Sequence, residues 1–89
     1  MMTERKAVVI NPLGLHARPA AQFVKMAAGF AAHIEVEKDS GPVNAKSIMG
    51  VMMLSAEQGC TLLIRATGSD EERAVEALAA LVAGGFGEL

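Results

Sequence analysis

Two segments of the chain alternate between apolar and polar side chains, and that alternation restricts the kind of sheet they can join. In His33 to Lys38, Ile34 and Val36 point one way while His33, Glu35 and Glu37 point the other. In Cys60 to Thr67, Leu62, Ile64 and Ala66 share a face opposite Thr61, Arg65 and Thr67, and Leu63 interrupts the polar side. Strands with one polar face fit a sheet whose second side is open to water better than one covered on both sides.

The remaining segments supply the other strands and the cover. Ala7 to Ile10 is short, apolar and β-branched, which predicts a first strand. Asn11-Pro12-Leu13-Gly14 reads as a turn or loop. Ala20, Phe23, Val24 and Ala27 follow the i, i+3, i+4, i+7 spacing of a helix beginning at about Ala17, with Pro19 in its first turn. Gly29 and Phe30 read as its stop, with Gly29 in the left-handed region and Phe30 folding back. A turn at Asp39-Ser40-Gly41 leads to a short edge strand, Pro42 to Ala45. Ser47 then reads as the N-cap of a short helix within Ile48 to Leu54, with Val51 and Leu54 in the core. After Gln58-Gly59 and the fourth strand, Ser69 with Glu72 reads as a capping box. The helix it opens carries Ala74, Val75, Leu78, Leu81 and Val82 on one stripe and ends at Gly84-Gly85. The order β-α-β-β-α-β-α, with helices covering one face of a four-stranded sheet, is an α+β two-layer, open-faced sandwich. It forms one domain over residues 1–89, without internal repeats.

Composition narrows the function. A chain of 89 residues buries only about 60–65% of the surface its unfolded form exposes, which leaves little room for an internal ligand cavity and puts the chemistry on the surface. Aromatic residues are 3% of the chain, so the core is aliphatic and there is no stacking platform for nucleic-acid bases. A net charge of −2 draws the chain neither to DNA nor to anionic lipid. The charges are segregated, however. Glu4 faces Arg5, Lys6, Arg18 and Lys25 up to residue 25, whereas Asp70, Glu71, Glu72, Glu76 and Glu88 face only Arg73 after Gly68. The basic half suits an anionic partner. Cys60, the sole cysteine, reads as a small core or edge residue and excludes an intrachain disulfide. With no signal-peptide core and no apolar run near the roughly 18 residues of a membrane span, the expectation is a cytoplasmic protein without membrane insertion. No cofactor is expected, since neither a metal-ligand spacing nor a glycine-rich nucleotide loop occurs.

The chemistry concentrates in Gly14-Leu15-His16-Ala17-Arg18-Pro19-Ala20. A loop ending at His16 places its imidazole beside the unpaired N–H groups and positive dipole of a helix start, where an anion is favoured. Arg18 adds a forked, permanently charged donor. A neutral imidazole is a competent nucleophile, and a phosphoryl group on it could be cradled by these donors and still be given away. A histidine near a helix start is more often a cap or a solvated loop residue, so these residues alone are a weak signal.

The same seven residues resemble the active-site motif of HPr, the histidine phosphocarrier family of the bacterial phosphoenolpyruvate-dependent phosphotransferase system. Ala45-Lys46-Ser47-Ile48-Met49-Gly50-Val51-Met52 resembles the regulatory-serine region of that family. The length, the element order, Gly59 and the tail Gly85-Phe86-Gly87-Glu88 agree as well. The resemblance implies a four-stranded antiparallel sheet with three helices on one face. It implies that His16 takes a phosphoryl group on Nδ1, beside the active-site arginine Arg18. Phosphate would arrive from enzyme I, charged by phosphoenolpyruvate, and leave to an enzyme IIA domain, with the chain acting as a monomeric transfer intermediate rather than a free-standing enzyme. Ser47 would match the serine modified by an HPr kinase/phosphorylase. Ala21, Lys25, Lys46, Ile48, Met49 and Met52 would form the partner surface. Ala28 and Gly50 stand where family members can carry lysine, a departure that bears on partner affinity and identity.

Two other functions fit parts of the pattern. A regulatory binding protein, serving a corepressor role with a transcriptional regulator or a nitrogen-branch phosphorelay, would act through Ser47, Ile48 and Met49. A small-molecule-binding α+β domain would share only the architecture, and would need a pocket that so short a chain has little space for.

Overall fold

The computed structural model describes residues 1–39 and 41–88, so Ser40 of the expected turn lies outside the described residues. The elements are β1 (Met2–Val8), α1 (Ala17–Ala28), β2 (His33–Glu37), β3 (Val43–Asn44), α2 (Ile48–Met52), β4 (Thr61–Thr67) and α3 (Glu71–Ala83), followed by a 3-10 turn at Gly85–Gly87. All strand pairings are antiparallel, and the sheet order is β1-β4-β2-β3.

Strand β4 is hydrogen-bonded on both edges, and its alternation divides the molecule. Leu62, Ile64 and Ala66 are buried with Ala7, Ile34 and Val36 of the neighbouring strands. The helices close this layer with Ala20, Phe23 and Ala27 from α1, Val51 from α2, and Ala74, Val75, Leu78 and Val82 from α3. Phe23 and the terminal Phe86 are the buried aromatics of an otherwise aliphatic core. On the open face, Arg65 of β4 pairs with Glu4 of β1 at 2.6 Å and with Glu37 of β2, tying three strands together at the polar surface. His33 lies exposed on that face, 3.3 Å from the Glu35 carboxylate, as its place in the alternation predicts.

Four sequence expectations need correction. Strand β1 covers Met2–Val8 rather than Ala7 to Ile10, so it both starts and ends earlier than expected. The polar run Thr3 to Lys6 is accommodated because β1 is an edge strand with one face in water, registered on β4 from Met2 opposite Thr67 to Val8 opposite Thr61. Gly29 is not left-handed. Its φ is −77°, and α1 ends in a tight turn through Gly29 N–H to Met26 O and Phe30 N–H to Ala27 O. Phe30 nonetheless packs half-buried against the core. The Ser69/Glu72 capping box does not form. Helix α3 begins at Glu71 after Asp70, whose carboxylate instead accepts from the N–H groups of Ala31 (2.8 Å) and Ala32 (2.9 Å). Glu71 accepts from Gly68 N–H (3.0 Å) and from Thr3 Oγ1 (2.6 Å). Both acids are thereby committed to joining α3 to β1 and to the approach to β2. Finally, Leu54 and Leu81 pack on the rim of the core, half-buried rather than enclosed.

Asp70 gives a pH test of this junction. The Ala31 and Ala32 N–H groups hold its carboxyl below the ordinary 3.8. A carboxyl depressed on folding stabilises the protein above its unfolded pKa, and that contribution disappears as the pH falls through the lower folded value. Asp70→Ala should therefore lower Tm at neutral pH. The difference from wild type should shrink as pH falls below about 4 in thermal melts.

Candidate functional site

The site is built where β1 leaves the sheet. Val9 N–H donates to Cys60 O (2.9 Å) and Gly59 N–H to Val9 O (2.7 Å), so the exit stays in register for one residue beyond β1. Asn11 follows, fully buried. Its turn is closed by Gly14 N–H to Asn11 O (3.1 Å) and by Asn11 Nδ2 to Gly14 O (2.7 Å). Gly14 has φ +65°, and a Cβ there would stand 2.3 Å from Ala56 O. That contact lets Leu15 donate to Ala56 O at 2.9 Å and bury its side chain. His16 is then delivered to the N-cap of α1 in extended conformation (φ −76°, ψ −170°), and its carbonyl accepts the first helical bond, from Ala20 N–H.

The imidazole makes no capping bond. It turns toward the chain's tail, with Nε2 2.9 Å from Glu88 Oε2 and 3.1 Å from Oε1. Glu88 Oε1 also accepts from Asn11 Nδ2 at 2.9 Å. Glu88 reaches this position because Gly85 (φ +69°), Phe86 (φ +58°) and Gly87 (φ +74°) are successively left-handed, which coils the chain back after α3. The buried Phe86 side chain anchors that coil. Among the described residues no hydrogen bond engages His16 Nδ1.

His16 and Arg18 come together as the sequence predicts, lining a shallow open cleft with Pro12, Leu13, Gln22, Phe86, Gly87 and Glu88. Arg18 is exposed. The first turn of α1 carries no acidic residue, and Pro19 lacks an N–H, so the amides of Ala17 and Arg18 are the helix-start donors for an anion. Ser47 lies outside this cleft, on α2, where its Oγ accepts from Gly50 N–H at 3.2 Å. Beside it, Ile48 (41%), Met49 (71%) and Met52 (46%) are exposed, while Val51 is buried. Met53, 76% exposed, extends the same apolar patch. Ala21 and Lys25 are exposed on α1. Lys46 is half-buried and donates to Phe30 O at 2.7 Å, which fixes its position near the end of α1. Burial, with Glu57 adjacent, pushes the Cys60 thiol up, away from the thiolate a nucleophile needs.

Sequence reasoning assigned no role to Asn11, Gln22 or Glu88. The available signals were a lone amide closing an apolar strand and a phenylalanine between two glycines just before an acid.

The open-faced α+β layer thus presents a half-buried histidine at a helix start, with an arginine lining the same open cleft. The family model for the PTS HPr component phosphorylation site matches residues 3–84. The phosphocarrier protein HPr of Cupriavidus necator is 45% identical over 87 residues, covering 98% of both chains. The HPr-like protein Crh of Bacillus subtilis is 47% identical over 81 residues, covering 91% of this chain and 95% of that one. The crystal structure of HPr-C-His from Thermoanaerobacter tengcongensis superposes with a TM-score of 0.93 at 49% identity, covering 98% of each chain. The chain belongs to the HPr family of phosphocarrier proteins. Among the described residues no helix is long and apolar enough to cross a membrane.

The delivery of His16 depends on Gly14. Gly14→Ala forces a Cβ against the Ala56 carbonyl in a left-handed backbone, and should cost on the order of 1–3 kcal/mol in denaturant unfolding.

Proposed function

We propose that the protein carries a phosphoryl group on His16 Nδ1, receiving it from phosphoenolpyruvate-charged enzyme I and passing it to enzyme IIA domains of the sugar phosphotransferase system. The observation that supports this most directly is the engagement of Nε2 by Glu88, while Nδ1, at the positive end of α1, has no hydrogen bond among the described residues. The Nδ1 lone pair attacks phosphorus, the bond to the donor breaks, and its electrons return to the donor. Arg18 and the Ala17 and Arg18 amides take up charge on the transferring oxygens. An open cleft lets two different partners reach the same atom in turn. Ala21, Lys25, Lys46 and the Ile48–Met49–Met52 patch form the docking surface, and the protein works as a cytoplasmic monomer.

Ser47 is the regulatory site. A phosphate there adds charge at the start of α2 beside the apolar patch, and opposes an acidic partner without unfolding the helix. A second reading, regulatory binding of a transcriptional regulator through Ser47, Ile48 and Met49, is favoured by the exposure of that patch and by the likeness to Crh.

Incubation with phosphoenolpyruvate and enzyme I should give an acid-labile phosphoryl label on wild type and none on His16→Ala. A label that survives the substitution, or no label on wild type, overturns the proposal. Ser47→Asp should slow transfer from enzyme I several-fold at unchanged Tm, measured as the second-order rate constant.

A further inference from the structure

A lysine outside the cleft holds the backbone against which the loop before His16 lies. We propose that Lys38 is a positioning residue for phosphoryl transfer. By clamping Ser55 and Glu57, on either side of Ala56, it fixes the carbonyl to which Leu15 is tied, and through Leu15 the setting of His16. This rests on the phosphocarrier reading, and Lys38 touches neither the imidazole nor the transferring group.

Residues 55–60 form neither helix nor strand, yet the chain from Val9 to Leu15 lies against them. Gly59 N–H donates to Val9 O (2.7 Å), Gln58 Nε2 to Ile10 O (3.0 Å) and Leu15 N–H to Ala56 O (2.9 Å). A Cβ on Gly14 would stand 3.0 Å from Glu57 Cα as well as 2.3 Å from Ala56 O. This bed needs support of its own, because Ser55 is left-handed at φ +51°, a conformation that strains a residue with a side chain. Lys38 supplies it. One step past β2, it continues the phase of the buried Ile34 and Val36, and only 16% of its side chain is exposed, so its ammonium is committed to protein partners. That ammonium donates to Ser55 O at 3.2 Å and pairs with Glu57 Oε1 at 2.9 Å, with the exposed Asp39 carboxylate 3.5 Å away. One cation thus bridges the residues before and after Ala56. The hydrogen bond between them raises the pKa of Lys38 and lowers that of Glu57, so both stay charged at neutral pH.

The consequence falls on transfer rather than on docking. Leu15 is buried, its N–H is seated on Ala56 O, and His16 follows it directly. A shift of residues 55–57 therefore moves the residue that carries the imidazole. Attack on phosphorus demands alignment of the reacting atoms, and a misplacement of about 1 Å can cost on the order of 10²-fold in rate. Lys38 lies at the end of β2, apart from the α1 and α2 residues assigned to partner binding. Its loss should leave the affinity for enzyme I in place and slow the step that follows binding.

Amide hydrogen exchange and single-turnover transfer from phosphorylated enzyme I test this on wild type, Lys38→Met and Lys38→Arg. Lys38→Met keeps the stem and removes the cation, whereas Lys38→Arg keeps the cation. In Lys38→Met the Leu15 amide should exchange about tenfold faster, while the Ile64 amide inside β4 keeps its protection. The transfer rate at saturating enzyme I should fall about fivefold, with the half-saturating concentration unchanged. Lys38→Arg should restore both readings, and Glu57→Gln, which weakens one arm of the clamp, should show the same changes at smaller size. Equal loss of protection at Leu15 and Ile64, the mark of a merely structural role, overturns the proposal. So does wild-type exchange at Leu15 or a wild-type transfer rate in Lys38→Met, a raised half-saturating concentration, or a Lys38→Arg variant no better than Lys38→Met. A wild-type protein that accepts no phosphoryl group overturns the phosphocarrier reading and the transfer role together. The Leu15 exchange rate then decides the clamp by itself.

Discussion

All three helices lie on one side of the sheet because β4, paired along both edges, has only one apolar face to offer. Leu62, Ile64 and Ala66 must be covered, and Arg65 with its two carboxylate partners must stay in water. Burial of aliphatic surface at roughly 25 cal/mol per Å² rewards that arrangement. With the core on one side only, a chain of 89 residues has little interior room for a substrate. The helix ends, where backbone groups are left unpaired, are then the polar features such a surface offers a partner.

The site occupies one such end, and two loops build it. The Asn11–Leu15 turn is fixed by contact with the Ala56 backbone, and the Gly85–Gly87 coil is fixed by the burial of Phe86. Their meeting point is the Asn11–Glu88–His16 chain of hydrogen bonds. A rigid frame thus holds one nitrogen of an imidazole, while the other makes no hydrogen bond among the described residues. A surface carrier that two partners approach in succession needs both conditions: a fixed nucleophile and no enclosing walls.

The parts of this arrangement that could be read from the sequence are those with local causes. The 3.6-residue spacing of Ala20, Phe23 and Ala27, with Pro19 in the first turn, placed α1 and put His16 at its start, where the structure has it. Ser47 was legible as an N-cap because its bond to Gly50 spans three residues. The parts that were not legible depend on distant partners or on tertiary context. Asp70 binds amides 38 and 39 residues away, so a local capping pattern at Ser69 and Glu72 was the wrong guide. Glu88 reaches across 72 residues to His16, and nothing near either residue reports the other. The run Thr3 to Lys6 joins β1 because that strand lies at an open edge, a placement that no local signal reports.

The proposed transfer turns on a single atom, His16 Nδ1. Heteronuclear 31P–15N correlation on the phosphorylated, nitrogen-15-labelled protein reads that atom directly. One-bond coupling of phosphorus to Nδ1 of His16 is the expected result. Coupling to Nε2, or phosphorus attached to any other side chain, would contradict it.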